Sequence, residues 1–164
     1  MIEVRIASLN ADANSGQPVL LLKPLDEVDN RDDRLLPIWI GHAEATAILV
    51  ALHGAEIPRP MTHDLLANLI EALGFVAERV EVTRLEEGTY FAAIVLRGEE
   101  RTFVIDARPS DSLALAVRVG CPILVANDVW ERGAVAVSSV DEEEEEVERF
   151  REFLNHVDPN DFMS

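Results

Sequence analysis

The chain has 164 residues, of which 48% are hydrophobic and 27% charged. That balance suits one globular domain and excludes a low-complexity chain. The net charge is −17; ten acids against two arginines lie from Asp141 onward, and residues 1–140 still carry −9, so long-range electrostatics oppose docking on duplex DNA.

A lone Cys121 excludes an internal disulfide and a cysteine-built zinc cage. No apolar run approaches the ~18 residues of a membrane span. The first residues alternate like a strand, unlike a secretory signal. A reducing cytoplasm and no membrane association are expected. Thirteen of the fourteen basic residues are arginine, a bias that suits planar contacts with anions and carboxylates and that a GC-rich genome also produces.

Ile2, Val4 and Ile6 alternate with Glu3 and Arg5, which predicts a half-buried first strand. A turn over 10–16 leads to a second strand at 19–22, and a charged stretch at 26–33 to a third at 35–40. Gly41 opens a helix with Ala45, Ile48, Leu49 and Leu52 on one face, stopping near Gly54. Pro58 and Pro60 break the chain, Thr62 is the expected N-cap of a second helix, and Gly74 follows its end. Residues 76–85 and 89–96 read as a hairpin around Glu86-Glu87-Gly88. A strand at 102–106, a helix capped by Ser110 and closed by Gly120, and a short strand at 122–126 complete the body.

Each half is therefore three strands and a helix, with one more helix between the halves. Hairpin-linked strands predict an α+β fold rather than a doubly wound one. The domain is expected over 1–137 and an acidic tail over 138–164. In the tail, Val147, Phe150, Phe153, Leu154 and Val157 have the spacing of an amphipathic helix behind six consecutive acids. Such a helix would dock on its own body or on a sister subunit, or act as an acidic arm competing with nucleic acid.

One local pattern occurs twice. Arg59-Pro60-Met61-Thr62-His63-Asp64 and Arg108-Pro109-Ser110-Asp111 each set an Arg-Pro pair before a hydroxyl residue and an acid. Both make sound helix entrances. Both also aim free N–H groups and an arginine at one spot, as an oxyanion or phosphate requires. Glu44, Asp64, Asp106 and Asp111 lie at or near helix entrances, beside His63. Converging, they would hold Mg²⁺ or Mn²⁺, oxygen-seeking ions that bridge to phosphates; standing alone, acids in a first turn serve the helix dipole.

No dinucleotide, Walker, zincin or nucleophile-elbow motif is present, and no organic cofactor is expected. Cys121 reads as a small core residue. Trp39 and Trp130 read as core or interface residues, since aromatics at 5% do not make a base-stacking surface.

Four segments in order resemble the bifunctional nuclease family, also called the DNase–RNase domain. They are Leu36-Pro37-Ile38-Trp39-Ile40-Gly41 with Glu44-Ala45; Pro58-Arg59-Pro60-Met61-Thr62-His63-Asp64-Leu65-Leu66; Glu87-Gly88-Thr89-Tyr90-Phe91-Ala92; and Asp106-Ala107-Arg108-Pro109-Ser110-Asp111-Ser112-Leu113-Ala114-Leu115-Ala116. Met61 stands where the family pattern has Leu, a conservative change. The acidic tail resembles the C-terminal extension of bacterial members. The resemblance implies a single α+β domain of two related halves, self-associating, with nuclease activity on DNA and RNA. It brings no assigned catalytic set.

The reading that joins both lines is a phosphodiesterase-type nuclease. Arg59 and Arg108, with Thr62 and Ser110, would grip phosphate. Glu44, Asp64, Asp106 and Asp111 would hold a divalent ion, with Glu44, Asp106 and Asp111 as its first ligands, and His63 would act as general base. The expected partners are nucleic acid and a second copy of the chain, a dimer before larger assemblies. The alternative is a non-catalytic module holding a small phosphorylated or carboxylate ligand in the same pockets, which the acidic surface suits better.

Overall fold

The computed structural model describes residues 1–26 and 34–136; the expected tail helix lies outside them. The elements run β1 (Ile2–Ala11), β2 (Pro18–Pro24), β3 (Arg34–Trp39), α1 (His42–Leu52), α2 (Thr62–Ala72), β4 (Val76–Glu86), β5 (Thr89–Arg97), β6 (Thr102–Ala107), α3 (Pro109–Val119), β7 (Ile123–Val125), α4 (Asn127–Gly133) and β8 (Val135–Ala136). The α+β expectation holds: the eight strands form one mixed sheet in the order β6-β5-β4-β7-β1-β2-β3-β8.

The two halves are visible in that order. Strands β1, β2 and β3 form one antiparallel meander, and β4, β5 and β6 form the other. The three-residue β7 joins them, antiparallel to β1 and parallel to β4. The β4–β5 hairpin turns at Glu87 and Gly88, both with positive φ, at 48° and 79°. Such a two-residue turn matches the right-handed twist of its strands, and Gly at the second position removes the steric cost there.

The helices cover one side of this sheet and one another. Helix α3 packs on β4 and β5, and both α1 and α2 pack on α3. Leu113, Ala114, Leu115 and Ala116 of α3 are all buried, and each fully buried leucine contributes roughly 2–3 kcal/mol. In α1, Ala45, Ile48 and Leu49 are buried as their spacing predicts, whereas Leu52 is exposed in the final turn.

Two elements go beyond the sequence expectation, α4 and β8. Trp130 of α4 is fully buried, as a core residue should be, while Trp39 at the end of β3 is half exposed. Gly133 ends α4 where a Cβ would come within 2.7 Å of both Leu36 Cδ1 and Tyr90 Oη. Strands β3 and β5, from different halves, thus both approach this one helix, and only glycine leaves room for them. Cys121 is partly buried, and burial pushes its thiol up, which suits the inert role expected for it.

Among the described residues, no helix is long and apolar enough to cross a membrane.

Candidate functional site

Helices α1, α2 and α3 share a feature of their first turns: each carries an acid at its third residue. These are Glu44, Asp64 and Asp111. An acid there faces the free N–H groups of the helix start and the positive end of its dipole. The packing of the three helices then brings these carboxylates to two arginines of α3.

Arg108 is the N-cap of α3. Its Nε donates to Asp111 Oδ2 at 2.8 Å and its Nη2 to Asp111 Oδ1 at 3.2 Å. The same Nη2 lies 3.0 Å from Glu44 Oε1, so one guanidinium bridges the entrances of α1 and α3. The Glu44 side chain folds back over Gly41, where any Cβ would collide with its carboxylate. From α2, His63 Nε2 lies 3.0 Å from Asp111 Oδ1. An ionised carboxylate only accepts, so Nε2 is the donor in this contact, and in the neutral ring Nδ1 is then the acceptor nitrogen.

Arg118, in the last turn of α3, does the complementary task. Its Nε donates to Asp64 Oδ1 at 2.7 Å, and its Nη groups donate to the carbonyls of Ala114 and Ala47. The two arginines differ in burial: the Arg118 side chain is 7% exposed and that of Arg108 is 65% exposed. The buried guanidinium ties α1, α2 and α3 together. The exposed one presents charge to solvent at the mouth of the cluster, above a nearly buried His63.

Asp111 is held ionised below its ordinary value of 3.8. Burial alone would raise it, but hydrogen bonds from Arg108 and then His63, with the Arg108 charge, outweigh that. Asp111 first, then Glu44, raise Arg108 further above its usual range. A carboxyl lowered by folding contributes stability that is present above the unfolded value of 3.8 and is lost as pH falls below it. The melting temperature of the wild type is therefore expected to drop below about pH 4, and less steeply in Arg108→Ala. Parallel curves for the two proteins would remove the Arg108 bond as the cause.

The structure thus gathers Glu44, His63, Arg108 and Asp111 from the expected set. Asp64 is adjacent in sequence but is engaged through Arg118. Asp106 lies exposed on β6, paired in the ladder with Ala93, and forms no hydrogen bond or ion pair with the cluster among the described residues. Arg59 is exposed before α2 and makes no ion pair among those residues either.

Two capping expectations are corrected. Thr62 is the first residue of α2, and Met61 is its N-cap; Asp64 Oδ2 accepts the Met61 N–H at 2.8 Å and so replaces a hydroxyl cap. Ser110 follows Pro109 inside α3, since proline takes the first helical position and moves the cap back to Arg108. The hydroxyl that bonds the Arg108 carbonyl belongs to Ser112.

Among the described residues, no three His, Cys, Asp or Glu side chains form a group that could hold a metal ion. The two converging carboxylates, Glu44 and Asp111, have the Arg108 guanidinium between them. Mg²⁺, however, is commonly held by one or two carboxylates together with substrate phosphates.

Two meander-and-helix halves, with a polar centre where their helices begin, define an α+β protein whose chemistry is concentrated at helix entrances. Residues 25–138 match the bifunctional nuclease domain. The whole chain is 42% identical to an uncharacterized protein of Mycobacterium tuberculosis strain H37Rv, over 171 aligned positions that cover 99% of it. It is 29% identical over 102 residues to bifunctional nuclease 1 of Oryza sativa subsp. japonica, covering 60% of this chain and 31% of the rice protein. It is 31% identical over 94 residues to bifunctional nuclease 2 of Arabidopsis thaliana, covering 56% of this chain and 29% of the Arabidopsis protein. The chain belongs to the bifunctional nuclease domain family.

Proposed function

We propose that the protein hydrolyses phosphodiester bonds of DNA and RNA at the Glu44–Arg108–Asp111–His63 cluster, in the cytoplasm and as a dimer. The family and the names of the plant relatives support the reaction class. The observation that carries the assignment is the shared carboxylate, Asp111, which holds an exposed arginine on one side and a nearly buried histidine on the other.

In this reading a backbone phosphate meets Arg108 at the N-terminus of α3 and takes over its charge-assisted hydrogen bonds. Arg59 and the entrance of α2 at Thr62 would extend that grip, as would the helix start around Ser110. Asp111 keeps His63 in the tautomer whose Nδ1 accepts a proton from the attacking water. The water oxygen bonds to phosphorus, the bond to the leaving oxygen breaks, and that oxygen is protonated. With Arg108 engaged by phosphate, Glu44 and Asp111 would hold Mg²⁺ or Mn²⁺, which when bound neutralises charge on the phosphoryl oxygens and lowers the pKa of water.

The test is cleavage of labelled single-stranded DNA and RNA by wild type and Asp111→Asn, purified in parallel, with Mg²⁺, Mn²⁺ or EDTA. Cleavage by the wild type that is lost in a correctly folded variant supports the site. Equal cleavage by both proteins removes Asp111 from the chemistry.

The net charge of −17 favours a second reading, a small phosphorylated or carboxylate ligand at the same arginine. A mononucleotide that raises the melting temperature without being cleaved would select it.

A further inference from the structure

The entrances of α1, α2 and α3 are built alike except in one respect. In α2 and α3 the acid of the first turn is an aspartate, Asp64 or Asp111, and the residue before the helix, Met61 or Arg108, carries a side chain. In α1 the acid is the longer Glu44, and the residue before the helix is Gly41.

The backbone does not ask for glycine there. Gly41 has φ −78° and ψ 161°, an extended conformation open to any residue. Serine, asparagine or aspartate would cap α1 better, and no side-chain bond caps it as it stands. What Gly41 supplies is room. The three heavy atoms nearest to a Cβ built on it all belong to the Glu44 carboxyl group: Cδ at 3.2 Å, Oε1 at 3.6 Å, and Oε2 in outright collision. The other oxygen of that group, Oε1, is the one 3.0 Å from Arg108 Nη2. A carboxylate is rigid and planar, so pushing Oε2 away from Gly41 also swings Oε1 away from Arg108. An aspartate is one methylene shorter. Asp64 reaches only the backbone N–H of Met61, at 2.8 Å, and tolerates the methionine side chain.

We infer that Gly41 is a positioning residue of the site: its missing side chain seats the Glu44 carboxylate, and through Glu44 it orients Arg108. Nε and Nη2 of that guanidinium are engaged by Asp111 and Glu44, while Nη1 makes no hydrogen bond among the described residues. Nη1 is therefore the edge offered to an anion, and the anchor on α1 sets where that edge points. Without Glu44, a side chain that is 65% exposed is held only by Asp111 of its own helix. The service of Gly41 to cleavage rests on the nuclease reading, whereas its contact with Glu44 does not.

The experiment places Gly41→Ser in the full-length wild type and in Glu44→Asp, with Gly41→Ala in the wild type as a second variant that adds the Cβ alone. Each protein is followed by thermal melts, by the Arg108 guanidinium signals in an NMR spectrum assigned with Arg108→Lys, and by cleavage of labelled single-stranded RNA. With Glu44 present, Gly41→Ser is expected to lower the melting temperature by about 2–4 °C. Both substitutions should shift the Arg108 signals and slow cleavage by roughly tenfold or more. In Glu44→Asp, Gly41→Ser is expected to leave the melt and the Arg108 signals of that background unchanged, because the shorter acid leaves the Cβ its space. An equal penalty in both backgrounds, or Arg108 signals that neither substitution shifts, overturns the inference. Shifted signals in a protein that cleaves nothing even as wild type would keep Gly41 as the seat of Glu44 and remove the nuclease reading.

Discussion

Replacing His63 with Gln is expected to lower cleavage of single-stranded DNA and RNA by about 10²–10⁴-fold, the usual contribution of a positioned general base. The glutamine amide can still donate to Asp111 Oδ1, which His63 Nε2 meets at 3.0 Å, so the variant keeps the bond that fixes α2 against α3. It lacks a nitrogen that can take a proton at neutral pH. Activity should therefore fall while the thermal melt stays close to that of the wild type. A variant that loses activity only in proportion to its lost stability would make His63 a packing residue. One that cleaves at the wild-type rate would move the base elsewhere. His63 is only 8% exposed, and it shares the Asp111 carboxylate with the exposed Arg108, which ties its role as a base to substrate binding.

Replacing Arg118 with Met should act on the fold. The side chain keeps its apolar length but loses the bonds to Asp64, Ala47 and Ala114. Removing one partner of a buried ion pair costs ~3–5 kcal/mol. The cost here should be about 2–3 kcal/mol, because the Asp64 side chain retains some water contact. For a chain of this size that lowers the melting temperature by roughly 5–10 °C. The double variant Arg118→Met with Asp64→Asn is expected to recover part of the loss, since it no longer strands a carboxylate. A single variant that melts within a degree of the wild type would show that the pair adds nothing to stability.

These two arginines show where sequence reasoning reaches and where it stops. The second Arg-Pro motif predicts Arg108 because its meaning is local: an arginine, a proline and an acid within one helix entrance. Arg118 sits in a last helical turn, where a base is unremarkable, and only the crossing of α2 over α3 gives it Asp64 as a partner. The inclusion of Asp106 rested on its closeness in sequence to Asp111. The chain turns between them, however, and a residue at the end of a strand need not share a face with one inside the next helix.

The strand and helix order was legible because apolar spacing is a local property, and all three glycine stops, Gly54, Gly74 and Gly120, adopt positive φ. Helix α4 was not legible. Its seven residues are too few for a periodic face, and the burial of Trp130 depends on strands from both halves. The two caps were misassigned for different reasons: at α2 the Asp64 carboxylate accepts the Met61 N–H, the half of a capping box that needs no hydroxyl at the cap, and at α3 proline takes the first helical position and moves the cap back to Arg108.

The position of β7 governs the order in which the polypeptide can assemble as it is synthesised. Each meander pairs neighbours along the chain, so both can form early and quickly. They become one sheet only when residues 123–125 insert between β1 and β4. Until then the inner edges of both meanders are bare, and the nascent chain carries two open strand edges besides the outer ones of β3 and β6. The strand that joins the two meanders is thus among the last to leave the ribosome, followed only by β8, and a chain broken off before residue 123 is left with two half-sheets prone to pair with whatever edge they meet.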